Sequence, residues 1–255
     1  MTAGEIAALI ASSTGAGVMN AMAGGGTILT FPTLLFLGEP AITANATSTV
    51  ALWPGGAASL FGYRREVATH REWFKTLLLP SLGGGALGAV LLLQTPAKAF
   101  EHLAPLLILF ATILFMVQGI VTQWTGGPHA GRRAPARLTL AWVFQFGVGV
   151  YGGYFGAGIG ILMLAVLGFL GLSDIHAANG LKNFFAMCIN GVAAGYFILR
   201  GAVDWPAALV MVAGSIAGGY AGARFARFIG REKARVAVVG IGLAVSAILL
   251  FQRTR

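Results

Sequence analysis

The chain has 255 residues, of which 57% are hydrophobic and only 10% charged, and it carries a formal net charge of +9. Soluble globular domains hold about 25% charged residues, so a water-solvated fold is excluded as the main reading. The single cysteine, Cys188, excludes an internal disulfide or a cysteine metal cluster within one chain. The basic residues sit in short groups between apolar segments, where they act as topology signals and argue against a nucleic-acid surface.

In chain order, apolar windows near the ~18 to 20 residues needed to cross a bilayer fall at 4–22, 43–62, 73–94, 103–122, 138–155, 179–199, 206–223 and 236–251. The first window holds Glu5 and no Lys or Arg, unlike the basic start of a cleavable signal peptide, and is expected to be a retained membrane segment. Directly after it, NAMAGGGTILTFPTLLFLG (20–38) places Gly24, Gly25 and Gly26 before a short apolar segment containing Pro32. Gly costs about 1 kcal/mol and Pro about 3 kcal/mol relative to Ala inside a helix, so the chain is expected to break there.

The break recurs. GGYFGAGIGILML (152–164) aligns with NAMAGGGTILTFP (20–32), pairing Gly24 with Gly156 and Gly26 with Gly158 around Ala157. NATSTVALWPGG (45–56) then aligns with NGLKNFFAMCIN (179–190), and Gly84, Gly85 and Gly88 align with Gly218, Gly219 and Gly222. The chain therefore divides into a first repeat at 1–122, a linker at 123–138 and a second repeat at 139–255. Gly218, Gly219 and Gly222 are expected to serve close helix packing.

Loop charge orients the halves. The loop at 63–75 carries Arg64, Arg65, Arg71 and Lys75, whereas its counterpart at 200–205 carries Arg200 beside Asp204. The next pair reverses, with Lys98 alone at 95–101 against Arg224, Arg227, Arg231, Lys233 and Arg235 at 224–235. Cytoplasmic loops are enriched in Lys and Arg, so the second repeat is expected to be inverted, with the linker's Arg132, Arg133 and Arg137 also cytoplasmic. The expected fold is an all-α polytopic membrane protein of two inverted-topology repeats, with about eight full transmembrane helices and two short broken or re-entrant segments. Those segments, 25–37 and 158–171, reach only about 20 Å against a hydrocarbon core of roughly 30 Å.

Paired breaks in inverted repeats point to a transport site, because unwound backbone survives at membrane depth only where it lines a cavity or is buried in protein. Asn45, Ser48 and Thr49 recur as Asn179, Lys182 and Asn183, both sets spaced i, i+3, i+4 on one helix face just after a break. Lys182 is the only cation inside an expected span, while all eight Asp and Glu fall in loops or near segment ends. That balance favours an anion, for which the N-terminus of a half-helix offers unpaired N–H groups. The other reading of Lys182 is a side chain that snorkels to the interface. His176 is an interfacial residue or a proton-coupling one; Asn20 and Asn190 pack helices or join the site; Trp53 anchors the interface or lines the cavity.

AGGGTILTFPTLLFLGEPAITANATSTVALWPG in the first half and YGGYFGAGIGILMLAVLGFLGLSDIHAANGLKNFFAMCIN in the second resemble the paired signatures of the sulfite exporter TauE/SafE family. The resemblance covers nearly the whole chain. It implies a multi-pass permease of the bacterial inner membrane that moves sulfite, an organosulfonate or a related sulfur-containing anion, usually outward. The substrate-binding candidates are Gly24, Gly25, Gly26, Asn45, Ser48, Thr49, Gly156, Ala157, Gly158, Asn179, Lys182 and Asn183. No P-loop or dinucleotide fingerprint is present, so transport is expected to be secondary, without a cofactor, and with the coupling proton or ion open. Expected partners are the small anion and the lipid bilayer. The alternatives are a membrane-embedded enzyme or redox assembly factor, which would want a Cys pair, a His cluster or a catalytic dyad, and a non-transporting scaffold.

Overall fold

A computed structural model of the chain describes residues 1–22, 24–62, 72–125, 135–172, 175–225 and 231–253. They form ten helices and no strand: α1 (Ala3–Met22), α2 (Thr27–Phe36), α3 (Ala41–Gly62), α4 (Glu72–Gln94), α5 (Ala97–Thr125), α6 (Pro135–Tyr154), α7 (Ile159–Phe169), α8 (Ile175–Leu199), α9 (Trp205–Phe225) and α10 (Arg231–Arg253). The basic loops at 63–71 and 226–230, the linker stretch 126–134 and the side chain of His176 lie outside the described residues, and with them most of the charge pattern used to orient the repeats.

Local signals set several helix ends. Thr2 and Glu5 form a reciprocal capping box at α1, with the Thr2 N–H donating to Glu5 Oε2 at 2.8 Å and the Glu5 N–H to Thr2 Oγ1 at 3.3 Å. The short helices α2 and α7 end alike. Gly38 and Gly171 adopt φ of +92° and +90°, which lets Glu39 and Leu172 turn back and donate to the Leu34 and Leu167 carbonyls. With 10 and 11 residues, α2 and α7 extend only about 15 to 17 Å.

Among the described residues, three helices are long and apolar enough to cross a membrane, at Thr76–Gln94, Ala97–Val117 and Ala177–Leu199; Thr27–Phe36, Ile159–Phe169 and Val239–Phe251 are shorter apolar helices. Leu79, Phe110, Val143, Phe144, Leu209 and Phe251 are exposed on the outside of the bundle, a surface that suits hydrocarbon rather than water. The chain is thus an integral membrane protein.

The halves interlock. α1 packs along α9 and α4 along α6; α3 also touches α9, and α4 touches α8. α3 packs on α8, α5 on α10, α5 on α7, and α10 on α2. Exchanging α1–α5 with α6–α10 turns each of these contacts into another of them or into itself.

Small residues make the long contacts close. A Cβ on Gly17 of α1 would lie 2.5 Å from the Ser215 carbonyl oxygen and 2.7 Å from the Gly219 nitrogen on α9. At the equivalent contact, a Cβ on Gly84 of α4 would lie 2.4 Å from the Phe146 carbonyl oxygen on α6. Lipid supplies no hydrophobic drive between helices, so such close backbone approach and its dispersion contacts hold the bundle. Gly218 and Gly222 are part of the same seam, against Thr14 and Val18.

Near the breaks, Phe31 of α2 meets Phe155 edge-to-face at 5.4 Å and Phe100 of α5 at 6.2 Å, all three buried.

Candidate functional site

The two breaks meet. A Cβ on Gly24 would lie 3.0 Å from the Gly160 Cα, and one on Gly25 would lie 2.9 Å from the Gly158 nitrogen. Gly24, Gly25, Gly156 and Gly158 all take φ between +77° and +104°, a left-handed backbone that side-chain-bearing residues rarely adopt. These glycines therefore serve both the turn and the contact between turns.

Beside this junction lies a cavity of about 40 Å³, with room for roughly three waters. Its polar lining comes from Asn20, Thr27, Thr49, Ser59, Lys182, Asn183 and Asn190, with Gly24, Gly25, Gly56, Gly156 and Gly160 supplying backbone. Leu52, Ile159, Ala186 and Met187 add apolar wall, and among the described residues no Asp or Glu lines it. One face of α3 and one face of α8 thus confront the two breaks.

Lys182 is 1% exposed and its Nζ donates to Asn179 Oδ1 at 3.3 Å, so the side chain lies inside the protein instead of reaching its surface. Asn183 Nδ2 donates to Ser59 Oγ at 3.2 Å and joins α8 to α3 across the cavity. Thr49 Oγ1 donates to the Asn45 carbonyl at 2.9 Å within α3.

Of the twelve residues singled out from sequence, six line the cavity: Gly24, Gly25, Thr49, Gly156, Lys182 and Asn183. The others surround it. Asn45 Nδ2 donates to the Tyr154 carbonyl at 3.0 Å, tying α3 to the end of α6, while its buried Oδ1 has no partner among the described residues. Ser48 Oγ pairs with Thr30 Oγ1 at 2.6 Å and fixes α2 on α3. Asn179 holds Lys182. A Cβ on Gly26 would lie 2.4 Å from the Ala16 carbonyl oxygen, so Gly26 faces α1. Ala157 and Gly158 form the second turn, where Tyr151 Oη donates to the Ala157 carbonyl at 2.7 Å.

Thr27, Ser59, Gly56, Leu52, Ala186 and Met187 line the cavity without having been singled out. The signal for most of them is helical spacing. Continuing the face of Thr49 by turns reaches Leu52, Gly56 and Ser59, and continuing that of Lys182 and Asn183 reaches Ala186, Met187 and Asn190. Asn20 and Asn190 both join the lining. Trp53 lies outside it, its indole N–H donating to the Met187 carbonyl at 3.0 Å.

A helical membrane bundle with two short helices meeting at a polar cavity that no described carboxylate lines is the architecture of a membrane transporter. The chain belongs to the family described as Sulfite exporter TauE/SafE, whose pattern it matches over residues 9–249. It is 31% identical over 243 residues to a "Probable membrane transporter protein" of Haemophilus influenzae, covering 93% of this chain and 91% of that protein. It is 30% identical over 235 residues to "Probable membrane transporter protein ORF9" of Sinorhizobium sp, covering 90% and 87%. It is also 27% identical over 244 residues to "Probable membrane transporter protein YfcA" of Escherichia coli K12, covering 92% and 86%. No solved structure matches the chain.

Proposed function

We propose that this protein is a secondary transporter of a small sulfur oxyanion, sulfite or an organosulfonate, in a bacterial inner membrane. The observation that carries the reading is the cavity at the paired breaks, with Lys182 and neutral donors in its wall and no carboxylate among its described residues. An oxyanion accepts hydrogen bonds on every side, so a wall of N–H and O–H donors with one cation fits it; a cation site would need acidic or carbonyl ligands.

Alternating access between two inverted repeats is the mechanism this architecture supports. The two sets of five helices exchange their packing partners when exchanged with each other, as a pseudo-twofold axis requires. α3 and α8, which such an axis would exchange, pack on each other beside the cavity. Movement of one set against the other would open the cavity first to one side and then to the other, driven by the anion gradient or a coupled ion. The relatives are named as probable membrane transporters, without a substrate.

The test is flux into proteoliposomes of the purified protein, with sulfite, ethanesulfonate, sulfate, thiosulfate, chloride and a cation control. Saturable movement of sulfite or ethanesulfonate, excluding the cation, is expected. Transport of the cation alone, or of none of the panel, would overturn the anion reading.

A further inference from the structure

The two half-helices begin differently, although they occupy equivalent positions. At α2 the chain closes its own N-terminus. The Gly24 N–H donates to the Met19 carbonyl at 3.0 Å, and the Gly25 and Gly26 N–H groups both donate to Asn20 Oδ1, at 2.9 and 2.7 Å. The side-chain amide thus occupies the place where an anion would sit on a helix end.

At α7 only the first of these bonds recurs, the Gly156 N–H donating to the Tyr151 carbonyl at 3.2 Å; the side-chain cap has no counterpart. The residue aligned with Asn20 is Gly152, which has no side chain to turn back. The N–H groups of Ala157, Gly158, Ile159 and Gly160 make no hydrogen bond among the described residues, and Gly156, Ile159 and Gly160 are in the cavity wall. Buried backbone N–H groups are nearly always paired, so these donors call for a partner from outside the chain.

An independent side chain points to the same place. Thr27, aligned with Ile159 of the other repeat, lines the cavity and is only 7% exposed. Its Oγ1 has no hydrogen-bond partner among the described residues and lies 3.9 Å from where a Cβ of Gly156 would be. A hydroxyl of the first repeat therefore faces the uncapped helix start of the second.

We infer that the transported oxyanion is held asymmetrically, one of its oxygens docking on the open N-terminus of α7 and accepting a hydrogen bond from Thr27, while α2 is capped permanently by Asn20. The inference rests on the anion reading and refines it. Thr27 is a binding residue, and Asn20 is a positioning residue that keeps the first break rigid and removes a competing second site. One anion is bound per pseudosymmetric cavity, at the half-helix whose cap the sequence omits.

The probe is sulfite, applied to the full chain in lipid nanodiscs and read by hydrogen exchange and titration calorimetry. Sulfite is expected to slow exchange in residues 156–161 and to leave 24–29 unchanged. Thr27→Val, nearly equal in shape, is expected to weaken sulfite binding tenfold or more, and Thr27→Ser to restore it to within about threefold. Equal protection of both segments, or protection of neither in a protein that binds sulfite, would overturn the asymmetry. So would unchanged affinity in Thr27→Val, while the anion reading would stand. Absence of binding to sulfite and ethanesulfonate alike in the parent would overturn both. Exchange in the unmodified protein decides the matter even where a variant fails to fold.

Discussion

The Trp53 indole N–H donates to the carbonyl of Met187 at 3.0 Å, and these two residues fall on one another when 45–56 is aligned with 179–190. The bond joins α3 to α8 next to the cavity, where Met187 is part of the wall. Trp53 is a large side chain, 40% exposed, set immediately before Pro54 inside α3. Its two contributions, a hydrogen bond and ring packing against Gly191, are separable by substitution.

Trp53→Phe removes the donor and keeps a ring. Interhelical hydrogen bonds in membranes average about 0.6 kcal/mol, so stability measured by denaturant titration in detergent should fall by about that amount. Trp53→Ala should cost distinctly more. Equal losses in both variants would assign the whole effect to the hydrogen bond.

Lys182→Met preserves length and apolar packing but removes the cavity's cation. Loss of one charge-assisted hydrogen bond of about 1.5 to 3 kcal/mol corresponds to roughly ten- to more than a hundredfold weaker sulfite affinity, read by calorimetry. Asn183→Ala should weaken it less, nearer 1 kcal/mol, because Ser59 loses only a neutral partner. Parent-like affinity in Lys182→Met would remove Lys182 from the site.

Glycines of the helix seams and of the cavity should fail differently. Gly218→Val drives a side chain into the Thr14 carbonyl, since a Cβ there would already lie 2.0 Å away, and folded yield should collapse. Gly56, by contrast, lines the cavity and has open space where a Cβ would go. Gly56→Leu should fold with near-parent yield on size-exclusion chromatography and lose flux. Loss of folding in Gly56→Leu and retention in Gly218→Val would reverse the assignment.

Glu39, in the turn after α2, has its carboxyl raised above the usual 4.5 first by burial, then by the charge of Asp204 and a hydrogen bond with it. Asp204 is itself anchored, its N–H donating to Thr47 Oγ1 of α3 at 2.9 Å. A raised acid favours the protonated form in the folded state, so its stabilisation is fully present below about pH 4.5 and is lost as pH rises through the folded value. Glu39→Gln should therefore raise the melting temperature at pH 7.5 and have little effect at pH 4. The opposite pH order would show that the ionised pair stabilises the fold.

The orientation of the repeats is testable directly. Reporter fusions in the loops near 67 and 229 should both report cytoplasm, because both loops are rich in Lys and Arg. Fusions on opposite sides would mean that the repeats are parallel.

Much of this protein is written locally. The capping box of Thr2 and Glu5, the glycine steps at 24–26 and 156–158, and the closing Gly38 and Gly171 are each decided by residues within a turn of one another, so sequence alone places the two breaks. The recurrence of Asn45, Ser48 and Thr49 as Asn179, Lys182 and Asn183 likewise reads directly as two matched polar stripes. Which members of those stripes line the cavity was not legible, because helical spacing gives a face without saying what stands opposite it. Tertiary packing turned Asn45 to the Tyr154 carbonyl and Ser48 to Thr30, and brought Ser59 and Thr27 into the wall in their place. It also decided the asymmetry of the half-helices, because whether an N–H group is capped depends on a carbonyl arriving in three dimensions. Asn20 delivers a side-chain carbonyl to Gly25 and Gly26, and Gly152, which has no side chain, has none to deliver.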